Sequence, residues 1–225
     1  MRTLIASVIS VLCLLVVDAR AENKKPRLAY PGCVHQLKSG SGFTVRTPKR
    51  AYGTKKAIRL FKKAVASVRK KFRKTATLPV GDLSYRGGGR MRPHRSHRDG
   101  RDMDVGYYFK DGRSRNWFAK ARAKTLDVPR TWALFKALIA TREVEFIFVA
   151  YPLQRALYRY ALKHGETKKS LNRVFQWPRS RRKKAGIIRL ERGHADHFHV
   201  RFKKSRRKNR RAETTVSRED NICGS

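Results

Sequence analysis

After Thr54, apolar residues recur at three- and four-residue steps: Ala57, Ile58, Phe61, Ala64, Val65, Val68 and Phe72, with Lys and Arg filling the positions between. That period is one face of an α-helix turned to a core, and Thr54 is placed to cap it. Residues 86–100 break the pattern with Gly87-Gly88-Gly89, Pro93 and Gly100, and predict an irregular loop. Residues 102–109 read as a strand closed by a Lys110-Asp111-Gly112 turn, and 131–140 as a helix. Residues 144–151, VEFIFVAY, form an apolar run suited to the middle of a sheet. A helix over 153–163 stops at Gly165, and short strands follow at 187–190 and 197–202. Strands and helices mix without regular βαβ alternation. This predicts an α+β fold with a small central antiparallel sheet, flanking helices and irregular loops. The polar stretch 22–50 reads as an extended lead-in to a domain over 51–203, and 204–225 reads as a basic, polar tail.

The first 21 residues have another character. Arg2 precedes 14 mostly apolar residues at 4–17, and Ala19-Arg20-Ala21 follows. This is the layout of a cleaved secretory signal peptide, too short for a comfortable membrane span. Its removal would take Cys13 and leave Cys33 and Cys223, an even pair that reads as a disulfide in an exported protein. Such a bridge would close nearly the whole chain, which the chain-entropy argument credits with roughly 5 kcal/mol. Charge adds a partner class. Against 16 Asp and Glu stand 56 Lys and Arg, a formal +40, while 40% hydrophobic content argues against wholesale disorder. A surface this basic suits anionic polymers: nucleic acid, anionic lipid or acidic cell-wall material. Export points to a periplasmic or secreted protein held on an anionic wall or membrane surface through its basic patches. The densest of these is 201–211, with eight Lys or Arg in eleven positions.

Five of the seven histidines fall in two clusters, His94 and His97 in PHRSHRDGRDMD, and His194, His197 and His199 in GHADHFHVR. On a strand over 197–202, His197 and His199 share one face while Phe198 and Val200 turn to the core. His97 lies in the Gly-flanked loop, and Asp102 and Asp104 share a face of the strand after it. One of these two carboxylates can complete a His, Asp, His set with a fourth position open for water, the arrangement of a catalytic zinc. No H-E-x-x-H is present, and the two remaining cysteines lie far from both clusters, which excludes a zinc finger.

The motifs SHRDGRDMD and GHADHFHVRF, about a hundred residues apart, resemble the penicillin-insensitive murein endopeptidases, within the zinc peptidases that include lysostaphin-type enzymes, D-Ala-D-Ala carboxypeptidases and the hedgehog domain. The likeness runs from Tyr52 to Phe202 and includes Val80-Gly81-Asp82-Leu83, but it is vague between Trp117 and Thr141. It implies one Zn2+ per chain held by His97, Asp104 and His199, with His197 as general base or transition-state support. It also implies further active-site roles for His194 and His94. The substrate implied is peptidoglycan, at the D-alanyl–diaminopimelate cross-link, whose carboxylates Arg95, Arg98 or Arg201 can meet. The chain departs from the family in having fewer cysteines and in carrying Leu190-Glu191-Arg192 where a tryptophan is familiar. Two competing readings are a non-enzymatic anionic-polymer binder and an exported metal-dependent nuclease. Phe175, Trp177 and Phe202 do interleave with basic residues, yet no nucleic-acid recognition motif is present, which makes nucleic acid the weaker partner.

Overall fold

A computed structural model of the chain describes residues 35–205. The segment read as a signal peptide, Cys33, Cys223 and residues 206–225 lie outside the described residues. The elements in chain order are β1 (His35–Gln36), β2 (Phe43–Val45), β3 (Tyr52–Gly53), α1 (Lys55–Lys71), β4 (Leu78–Val80), β5 (Asp102–Gly106), α2 (Val128–Ala140), β6 (Val144–Phe148), α3 (Tyr151–Lys163), α4 (Lys168–Val174), β7 (Ile188–Arg189) and β8 (His197–Phe202). The fold is α+β. A six-stranded sheet runs in the order β2-β4-β5-β8-β6-β7, and β1 pairs with β3 beside it.

The centre of the sheet is antiparallel as expected, but its two outer pairs, β2 with β4 and β6 with β7, are parallel. The connections explain this. Helix α1 separates β2 from β4, and α3 with α4 separates β6 from β7, and a helical crossover returns the chain in its original direction. Strand β2 lies within the stretch read as a lead-in, and it extends the sheet there.

Helix α1 forms where its period predicts. The Thr54 hydroxyl accepts from the Ala57 amide at 3.2 Å, and Ala57, Ile58, Leu60, Phe61, Ala64, Val65 and Val68 are buried. Helix α2 begins three residues earlier than expected, because the Asp127 carboxylate accepts from the Arg130 amide and Pro129 fits the first turn. Two strands end sooner than expected. Strand β5 stops at Gly106, opposite His197 where β8 begins, so the tyrosines after it have no partner strand there. Strand β6 stops at Phe148 because Pro152 starts α3 at Tyr151. The Phe135 ring of α2 meets Phe198 of β8 edge-on at 4.9 Å, so helices cover the apolar side of the sheet. Among the described residues no helix is long and apolar enough to cross a membrane.

Candidate metal centre

The register of three strands assembles the polar side of the sheet. His199 lies opposite Asp104 of β5 and Phe148 of β6, while Arg201 lies opposite Asp102 and Phe146. Directly opposed residues share a face with Cβ atoms about 5 Å apart, so two rows of functional side chains cross the sheet. The loop before β5 folds back over this face and places His97 there, 1% exposed.

Outer hydrogen bonds settle which ring nitrogens face inward. His97 Nδ1 donates to the Leu83 carbonyl at 2.9 Å, which leaves the Nε2 lone pair facing the cluster. His199 Nε2 donates to Asp102 Oδ1 at 2.8 Å, which leaves Nδ1 inward. The Arg201 guanidinium in turn donates to both Asp102 oxygens, at 3.1 and 3.2 Å. The inward atoms converge: His199 Nδ1 is 3.0 Å from Asp104 Oδ1 and 3.1 Å from His97 Nε2, and His97 Nε2 is 3.3 Å from Asp104 Oδ1. Ligands about 2.0–2.1 Å from a tetrahedral ion stand roughly 3.3 Å apart, so this set fits a metal. His94 joins from the same loop. His94, His97 and Asp104 offer ligand atoms that all lie within 4.8 Å of one another. His94 Nε2 is bound to Asp82 Oδ2 at 2.7 Å, and Asp82 also accepts from Arg50.

The electrostatics match a cation site. Burial pushes the Asp104 carboxyl up, but the His97 and His199 imidazoles outweigh it and hold the group well below the usual carboxylate range. Burial disfavours the charged form of His199, yet its bonds to Asp102 and Asp104 win and raise it to about 9. His194 goes the other way. Burial, with the charges of His197 and His199, lowers it to about 4, so it is neutral at ordinary pH. Its Nδ1 donates to the Arg192 carbonyl at 2.9 Å, and its own carbonyl accepts from the Tyr107 hydroxyl.

His197 sits one step out. Its Nδ1 is 2.7 Å from Asp196 Oδ1, and its Nε2 stands 3.8 Å from Asp104 Oδ1. Phe118 stacks on its ring at 4.6 Å and 16°, and Trp117 stacks on Phe118 in turn. Phe118 can lie there only because the sheet beneath lacks a side chain: a Cβ on Gly81 would stand 2.7 Å from its ring. The whole group opens onto a cleft of about 630 Å3 walled by Phe146 and Phe148, with Arg95 and Arg192 among its lining.

A model of the penicillin-insensitive murein endopeptidase family matches residues 31–225. The chain belongs to this family. No curated protein matches the chain. As a murein endopeptidase the protein is a peptidase of the wall polymer, which lies outside the cytoplasm. The two histidine motifs of this endopeptidase meet in one cluster, and His94, which the sequence leaves in a lesser role, stands among the donors. Asp102 does not face the cluster directly but anchors His199 from behind. Arg201 is engaged with Asp102, Asp99 and Glu145, and Arg98 is not among the residues that line the cleft. Asp82, Asp196 and Phe118 escaped sequence reasoning. Asp82 stands in the quoted Val80-Gly81-Asp82-Leu83 and Asp196 inside the second cluster, so each had a positional signal; Phe118 had none. Phe175 and Phe202 are fully buried and Trp177 packs on the core, so these aromatics belong to packing and give a nucleic-acid surface no support.

Proposed function

We propose that the protein is a zinc-dependent endopeptidase that hydrolyses peptide cross-links of the D-alanyl–diaminopimelate type in peptidoglycan. The observation that carries this is the convergence of His97 Nε2, His199 Nδ1 and Asp104 Oδ1, 3.0–3.3 Å apart, on the floor of an open cleft. Zinc bound by these three, with His94 adjacent, would supply a Lewis acid for the amide carbonyl and lower the pKa of a water toward 7.

The remaining work falls to the chain's own groups. His197 keeps Nε2 unprotonated when Nδ1–H is given to Asp196, and the Asp196 carboxylate stabilises the imidazolium that forms when Nε2 takes a proton. The same nitrogen then returns that proton to the leaving amine. His194, neutral and tied at Nδ1, presents a second lone pair without adding charge near a cation. Asp102 and Leu83 hold the two ligating rings in their tautomers. Phe146 and Phe148 exclude water from one wall, which strengthens every polar interaction in the cleft. The signal segment and the basic surface support a periplasmic or secreted enzyme held on an anionic wall.

The test is a digest of purified cross-linked peptidoglycan, with fragments separated by chromatography. Dimers should collapse to monomers, chelator should stop this, and added zinc should restore it. Dimers that persist with zinc bound, or cleavage indifferent to chelator, would sink the reading.

A further inference from the structure

Most acidic groups around the cleft are already matched. Asp82 pairs with Arg50, Asp102 with Arg201, and Glu191 with Lys184 at 3.5 Å. Asp104 is enclosed by histidines. Arg95 and Arg192 both line the cleft, and among the described residues neither has an ion pair or a side-chain hydrogen bond. They also come from different sides. Arg95 rides the loop that leads into β5, and Arg192 follows β7. The order β5-β8-β6-β7 sets the two loops on either flank of His199.

Two arginines without side-chain partners along the wall of a cleft that can hold a cation suit an anion that is not the cation's own ligand. A free carboxylate beside a metal centre can compete for the metal, and a partner that holds it elsewhere removes that competition. Guanidinium is suited to that task, since its planar fork meets both carboxylate oxygens at once and its charge never titrates away. Diaminopimelate bears a carboxylate on the carbon next to the cross-linking amide nitrogen. We propose that Arg95 and Arg192 form the carboxylate-recognition site of the cleft, reading the substrate as an amide flanked by a free carboxylate. This inference rests on the endopeptidase reading above and makes the two arginines specificity determinants within it.

The experiment compares two cross-linked muropeptide dimers that differ only at that carboxylate, free in one and amidated in the other. Hydrogen bonds to a charged group carry enough energy for the intact enzyme to prefer the free acid by about 10- to 100-fold in kcat/KM. In R95Q/R192Q the preference should collapse toward one, with zinc stoichiometry as in the parent. An intact enzyme that cuts both dimers equally, or a double variant that keeps the preference, overturns the recognition site while the endopeptidase reading stands. Failure to cut either dimer with zinc bound overturns both, and the persistence or loss of cleavage tells the two failures apart.

Discussion

Strand β8 turns Phe198, Val200 and Phe202 to one side and His197, His199 and Arg201 to the other, and both sides are dry at their centres: Phe198 is fully buried and His199 is 4% exposed. On the first side order comes from packing against helices, which is favourable wherever apolar surface leaves water. On the second, burial opposes charge, and order comes from a chain of bonds running from Arg201 through Asp102 and His199 to Asp104. Such buried charged groups are a poor source of stability but a good way to hold donor atoms in one geometry. One strand thus separates what keeps the protein folded from what makes it a hydrolase.

The hardest test of that separation exchanges the two sides. His199→Ala should lower cross-link hydrolysis about a thousandfold or more, because a proposed ligand is lost, while near-ultraviolet circular dichroism stays native. Phe198→Ala should lower unfolding free energy by about 3–5 kcal/mol in denaturant titrations, while the folded fraction keeps its metal. Retained activity in the first, or an empty metal site in folded molecules of the second, would break the comparison.

Acidity gives the next effect. The folded, metal-free protein holds a proton on His199 up to about pH 9, above the ordinary 6.5. That raised value contributes stability fully present below pH 6.5 and lost as pH rises through 9. Zinc bound as proposed would displace the same proton, so its apparent affinity should climb with pH, roughly tenfold per unit between pH 6.5 and 9. Isothermal titration across that range, in buffers of different ionisation heat, measures both the slope and the proton released. A flat profile would show that His199 is not a ligand. The smallest effect is expected behind the ligand: Asp102→Asn should weaken zinc binding by about 10- to 100-fold, since the group that orients the ring becomes neutral. Unchanged affinity there would confine the polar side's order to the direct ligands.

The sequence made β8 legible to the residue, because HFHVRF alternates strictly, and made α1 legible because a four-turn apolar stripe has no other reading. That the two histidine segments belong together was legible from their clustering. Strand β4 was hidden by Pro79, a residue that argues against an inner strand, and α4 by its shortness. The contacts of Asp82 with His94 and of Phe118 with His197 join residues that only tertiary pairing brings together, and no local pattern announces them. Parallel pairing at the sheet's edges was missed for a related reason: it follows from where the crossovers land.

The flat seat that Gly81 provides for Phe118 has a consequence for reading variants of this protein. A methyl group there would press on a ring stacked against both Trp117 and the His197 imidazole, so the displacement would pass to the residue proposed as the base. A mutational scan scored by cross-link cleavage should therefore flag a residue with no charge and no side chain. Part of the catalytic design is written as a gap, and a chemist looking only for reactive groups would pass over it.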